Sequence, residues 1–192
     1  MWRPDSQGAC ARTRITAAVR RFVGDTVGAS ALEFALVAPL LILVYFGLGE
    51  LGQGLMAQRR VSHVASTIGD LSAQVTILHN TDLADIAAVG NTMMWPMATT
   101  PLAMRITSIT ENASSQVLVD WSYAQGMSPY TTAAAITVPT GLISSPGDSV
   151  IMSEATYAYT SPVSVVLPNG INFSEKYYFR PRKSAQVTRV SP

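Results

Sequence analysis

Charge is scarce in this chain. Only 13% of its 192 residues are Asp, Glu, Lys or Arg, against roughly 25% in a typical soluble domain. Cysteine is scarcer still. Cys10 stands alone, so no intramolecular disulfide forms and a disulfide scaffold is excluded. Two histidines beside one cysteine leave too little for a His/Cys metal cage. Neither sign of charge dominates. Thirteen basic against 12 acidic side chains leave a net charge of +1, without the basic excess of a general nucleic-acid binder. Apolar residues are plentiful, at 48% with a mean hydropathy of +0.24, which excludes a disordered chain. The length suits one domain, or a small domain with an attached element.

The charge that exists is unevenly placed. Residues 1–28 carry Arg3, Arg12, Arg14, Arg20 and Arg21 against Asp5 and Asp25, a net +3, and the remainder nets −2. This basic head runs into Ala31–Gly49, 19 residues holding one charge, Glu33. About 20 apolar residues cross a bilayer core as a helix, and no second run of this kind follows. The arginines are expected to stay cytoplasmic, with everything after about residue 52 outside. A removed signal peptide is the competing reading. The apolar run is longer than the usual 7–15 residues, however, and no small-x-small site closes it. Leu51, Leu55, Val61, Val64, Ala65 and Ile68 continue at three- and four-residue steps, which predicts an amphipathic helical stalk over 53–76 after a membrane helix over 29–52.

Three details mark the span. Pro39 removes a backbone hydrogen bond and can kink the helix. Gly47, Gly49, Gly52 and Gly54 either let two helices approach closely or loosen the membrane exit. Glu33 is a carboxylate at the membrane edge, which is costly without a reason. Gly28 lies five residues before it. A cut after Gly28 would give Ala29 a new α-ammonium, largely protonated at neutral pH, one turn from Glu33.

Gly28-Ala29-Ser30-Ala31-Leu32-Glu33-Phe34 resembles a type IV prepilin-type cleavage and assembly site. That resemblance implies that a membrane aspartyl peptidase cuts after Gly28, and that Glu33, fifth in the mature chain, helps subunits enter a helical bundle. The wider string Asp25 to Leu40, followed by Phe46-Gly47-Leu48-Gly49-Glu50, resembles the TadE-like family, pseudopilins of the tight-adherence (Tad/Flp) pilus machinery. Members commonly show a glycine, Glu-Phe-Ala, an apolar run with proline, and a closing glycine and glutamate, matched here by Gly47 and Glu50. The related TadG-like proteins share this opening and usually have larger outer regions. Val119–Ser122, Glu154–Tyr159 and Tyr177–Arg182 resemble the family more diffusely.

Beyond the stalk, residues 77–192 read as an outer α+β domain. A short helix is expected over Asp82–Met94, capped by Asp82 and stopped by Pro96. Strands are expected over 104–110, 116–123, 149–159 and 175–180, with a loop over 130–146. They suit an antiparallel sheet covered on one face by the stalk or the short helix, a pilin-like shape. Asp120, Glu154 and Glu175 would serve a hydrolase only if two of them met in a cleft. His63 and His79 lack the spacing of a zinc site, and Gly24–Gly28 lacks the lysine of a phosphate loop.

The expectation is therefore a bacterial inner-membrane protein, single-pass with its outer domain periplasmic. It is a pseudopilin or minor pilin without catalytic activity or cofactor. Its partners are the lipid bilayer, a prepilin-type peptidase, other pilin-like subunits and Tad inner-membrane assembly proteins, with no nucleic acid. An uncleaved periplasmic adaptor is the alternative, and an anchored hydrolase a more distant one.

Overall fold

The computed structural model describes residues 26–143, 145–164 and 167–190, so the first 25 residues of the 1–28 leader, with all five of its arginines, lie outside the described residues. The chain divides into two units, Met1–Leu48 and Gly49–Pro192. Helix α1, Thr26–Ala73, contributes to both.

In the first unit the described residues are all helical, and Pro39 sits inside α1 without ending it. Large apolar side chains here are exposed. Leu32, Leu36 and Tyr45 are 73%, 80% and 75% exposed. Among the described residues α1 is the one helix long and apolar enough to cross a membrane. Exposed apolar surface on this scale is stable where the surroundings are themselves apolar.

The second unit begins with the rest of α1, and here the same helix is a core element. Ala57, Val61, Val64, Ala65 and Ile68 are fully buried, at the spacing of one helical face. The period read from the sequence marks the packing surface from Val61 to Ile68, whereas Leu51 and Leu55 of the same run are exposed and the buried Ala57 is not part of it; α1 ends at Ala73 rather than near residue 76. Strand β1 (Ile77–His79) and helix α2 (Asn80–Met93) follow. Helix α2 starts two residues earlier than the sequence suggested. His79 is the cap, and Asp82, in the first turn, accepts its N–H at 2.8 Å.

Strands β2 (Leu102–Glu111), β3 (Val117–Gln125), β4 (Ser149–Tyr159) and β5 (Ile171–Phe179) form an antiparallel sheet in the order β3-β2-β4-β5. This is the α+β architecture expected from the sequence. One sheet face meets the helices. Ser153 donates from Oγ to the Ala65 carbonyl at 2.7 Å, and Ser62 and Tyr177 hydroxyls meet at 2.6 Å. A side chain on Gly69 would press within 2.5 Å of the Phe179 ring and Ser153, so glycine sets how close α1 lies to the sheet. Helix α2 packs the same way through Gly90, against Val64, Ile68 and Met104.

The segment after β3 covers the other face. Its Ala133 and Ala134 exchange backbone hydrogen bonds with Val119 at 2.8 and 3.0 Å, which protects the β3 edge. A short strand, β6 (Thr188–Val190), returns to pair in parallel with β1. Trp121 locks this return by donating from Nε1 to the Val187 carbonyl at 2.7 Å.

Candidate functional site

Helix α1 carries every residue that the sequence marked for processing, assembly or the membrane. Gly28 and Ala29 are helical and exposed, two and three residues from the start at Thr26. Glu33 is exposed. It stands four residues after Ala29, which puts the two on one helical face. Pro39 is exposed and Gly47 is buried.

Glu50 behaves differently. Its place after the apolar run suggests the membrane helix, yet it is only 1% exposed within the second unit. Its Oε2 accepts the Leu167 backbone N–H at 3.0 Å. A carboxylate held in this way is tolerated away from water because a charge-assisted hydrogen bond replaces hydration. Glu50 thereby ties the connection between β4 and β5 to the first turn of α1 in this unit. Gly170 completes that connection with φ +66, and a side chain there would collide with the Tyr159 carbonyl. No residue with a Cβ adopts that backbone comfortably.

The three acids considered for hydrolysis are kept apart. Glu154 pairs across the sheet with Lys176 and Arg105, whereas Glu175 pairs with Ala155. Alternation therefore sends Glu154 and Glu175 to opposite faces. Glu154 is held by Arg105 Nε at 2.7 Å and Nη2 at 2.6 Å, and by Lys176 Nζ at 2.8 Å. The Arg105 guanidinium also lies 3.7 Å from the Tyr130 ring centre. The hydrogen bond to Glu154 raises the Lys176 pKa above its usual value, and burial only partly opposes it. Asp120 lies on β3, two strands from Glu154, and burial raises its carboxyl pKa. This constellation can brace a sheet; it offers no pair of acids in a common cleft. His63 is exposed on α1, and His79 caps α2.

Sequence reasoning missed Arg105–Glu154–Lys176 as a unit. The available signal was a charged residue at the same alternate position of three strands, which only a known register joins. It also missed Arg60, whose Nη1 donates to the Met93 carbonyl at 3.1 Å and to the Trp95 carbonyl. That contact joins residues more than thirty positions apart and has no local pattern.

Comparison with curated proteins and with solved structures gives no match. The family model described as TadE-like protein matches residues 28–69. The match starts at Gly28 and takes in Glu33, Pro39, Gly47 and Glu50, while the diffuse likeness noted in the later strands falls outside it. From Gly28 to Gly69, then, the chain is similar to the TadE-like family, the family its opening motif resembles.

Proposed function

We propose that this protein is a pseudopilin or minor pilin that takes part in assembling a Tad/Flp-type pilus and performs no catalysis. The observation that carries the reading is the family match, which begins at Gly28 and covers the exposed apolar part of α1. Its N-terminus lies in the cytoplasm and the unit from Gly49 onward in the periplasm, held by a single span in the inner membrane. A prepilin-type peptidase removes residues 1–28. The glycine admits close approach to the backbone.

Cutting does two things in this account. It removes the arginines that fix the chain to the cytoplasmic face, and it creates an α-ammonium at Ala29. Within one subunit, or better between staggered neighbours, that cation meets Glu33. Both charges are then neutralised at the membrane edge, where an unpaired carboxylate is costly. The partners are other pilin-like helices and the inner-membrane assembly proteins of the pilus.

The test uses two variants expressed with the cognate peptidase. Gly28→Leu should keep its leader and abolish assembly. Glu33→Gln should be cut and should associate poorly with other pilin-like subunits, with fewer surface pili. A Glu33→Gln variant that assembles like the wild type contradicts the pairing role. A leader-bearing Gly28→Leu variant that still supports normal pili contradicts the processing step and favours the uncleaved adaptor.

A further inference from the structure

Exposed apolar side chains are concentrated at one end of the outer unit. Of the nine large ones exposed among its described residues, six are Leu51, Leu55, Met56, Trp95, Val163 and Ile171. Contacts within the unit place all six at the end where α1 enters. Gly54 of α1 lies 3.8 Å, by its would-be Cβ, from the Tyr159 ring, and Tyr159 pairs with Ile171. Val163 belongs to the connection that Glu50 holds through Leu167. Trp95 is tied through its carbonyl to Arg60. Helical side chains lean toward the helix N-terminus, so the Arg60 guanidinium sits back toward Met56. Met56, Arg60 and Met93 share a surface hollow of about 390 Å³ with Arg59 and His63.

These residues do not form a stripe. Leu51 and Leu55 are one turn apart on α1, and Met56 lies about 100° further round. Trp95 follows α2, which packs over β2, while Ile171 opens β5 at the opposite side of the sheet. One neighbouring helix covers a single stripe. A broad surface, unlike one helix, can meet the whole end. The chemistry of the end also suits an interface between oil and water. Trp95 is 77% exposed, and tryptophan favours the headgroup level of a bilayer. Arg59 is exposed and lines the hollow with Met56 and with Arg60, the residue bonded to the Trp95 carbonyl. Leu51 to Met56 follow Gly49 within about 10 Å of helix rise, close to the depth of a headgroup layer of about 5–8 Å per leaflet.

We propose that this end of the outer unit is a bilayer-docking rim, in which the six apolar side chains enter the headgroup layer and Arg59 reaches lipid phosphates. The proposal rests on the reading of Ala31–Gly49 as a membrane span. The occupant is the outer surface of the membrane that the span crosses, because exposed apolar residues recur along the same helix from Leu48 to Leu51, Leu55 and Met56. The outer unit is thereby seated on the lipid, and a subunit drawn out of the membrane gives up this contact.

The test places a nitroxide label at single cysteines in the full chain carrying Cys10→Ser, reconstituted at low density in nanodiscs containing phosphatidylglycerol. The labelled sites are Leu41→Cys in the span, Trp95→Cys and Val163→Cys at the rim, and Val190→Cys at the far end. Accessibility is read with oxygen, which favours lipid, and a water-soluble nickel complex. The rim labels are expected to lose most of the nickel broadening seen at Val190, while Leu41 shows the strongest oxygen effect. Rim labels as open to nickel as Val190, with Leu41 still oxygen-rich, overturn the rim and leave the span standing. Nickel access at Leu41 overturns the span and the rim with it. Protection at Trp95 and Val163 that appears only when protein is crowded in the disc assigns the surface to a neighbouring protein and overturns the lipid proposal.

Discussion

Helix α1 is treated in two opposite ways along its length. Before residue 49 it holds Leu32, Leu36 and Tyr45 out in the open; after residue 56 it hides Val61, Val64 and Ile68 completely. Both stretches are apolar, so hydrophobicity alone does not separate them. Distribution does. The first is apolar on every side, and the second confines its apolar residues to one face and puts Gln58, Arg59 and His63 on the other. An all-round apolar helix needs a surrounding solvent of its own kind, while a one-sided helix needs only a sheet. The sheet supplies Ile106, Ile151 and Ala155 to that face, and the run before residue 49 is long and apolar enough to take a bilayer as its cover.

The comparison can be broken at its strongest contacts first. Ile68→Ala removes a fully buried side chain from the centre of the helix–sheet interface. It should cost about 2–5 kcal/mol, read as a lower urea midpoint for the detergent-solubilised protein, with no change in membrane insertion. The mirror-image change is Leu40→Arg on the exposed arm. An arginine at a span's centre costs about 2.5–3.5 kcal/mol of insertion. This variant should move protein from the membrane to the soluble or degraded fraction, while the outer unit keeps its urea midpoint. If both variants affect folding and insertion alike, the two halves of α1 are not doing separate jobs.

Glu50 lies at the junction of the two treatments. Glu50→Ala leaves the Leu167 N–H without its carboxylate and should cost about 1–3 kcal/mol. Faster proteolysis within residues 160–170 would report the loosened connection, and an unchanged cleavage pattern would contradict its role as a tie.

The smallest effects are electrostatic and depend on pH. Burial raises the Asp120 pKa above 3.8 in the folded protein, so folding favours its protonated form. Stability from this group is lost as pH rises from 3.8 through the folded pKa. Asp120→Asn should therefore be slightly more stable than the wild type at neutral pH, with the gain gone below 3.8. Lys176 has the opposite charge and a raised pKa, owing first to its hydrogen bond with Glu154. Its contribution is complete below 10.5 and fades as pH rises through the folded value. Lys176→Met should flatten that alkaline decline in a pH series of unfolding midpoints.

Much of this was legible in the sequence where the determinants are local. Strand β4 falls at 149–159 as expected, because β-favourable residues fill it and Pro146-Gly147 sets its start. The buried face of α1 followed from the three- and four-residue steps over Val61 to Ile68, while Leu51 and Leu55 keep the same period without being covered. Asp82 was recognised as a helix-start residue, but its side chain works from inside the first turn, since His79 occupies the cap. The β1–β6 pair was not legible. It joins three residues to three across more than a hundred positions, in parallel, with no hairpin turn to fix the register. Glu50 was noticed for its position after the span, whereas its meaning depends on Leu167, 117 residues later. The Gly28–Glu33 spacing drew attention through a resemblance, and geometry adds only that Ala29 and Glu33 share a helical face.

The central claim is that the chain is processed at Gly28 before it acts. Intact-mass spectrometry of the protein extracted from membranes of cells making the pilus tests this most directly. The account predicts a mass lacking residues 1–28, with Ala29 at the N-terminus. Full-length protein in cells with normal pili would contradict it.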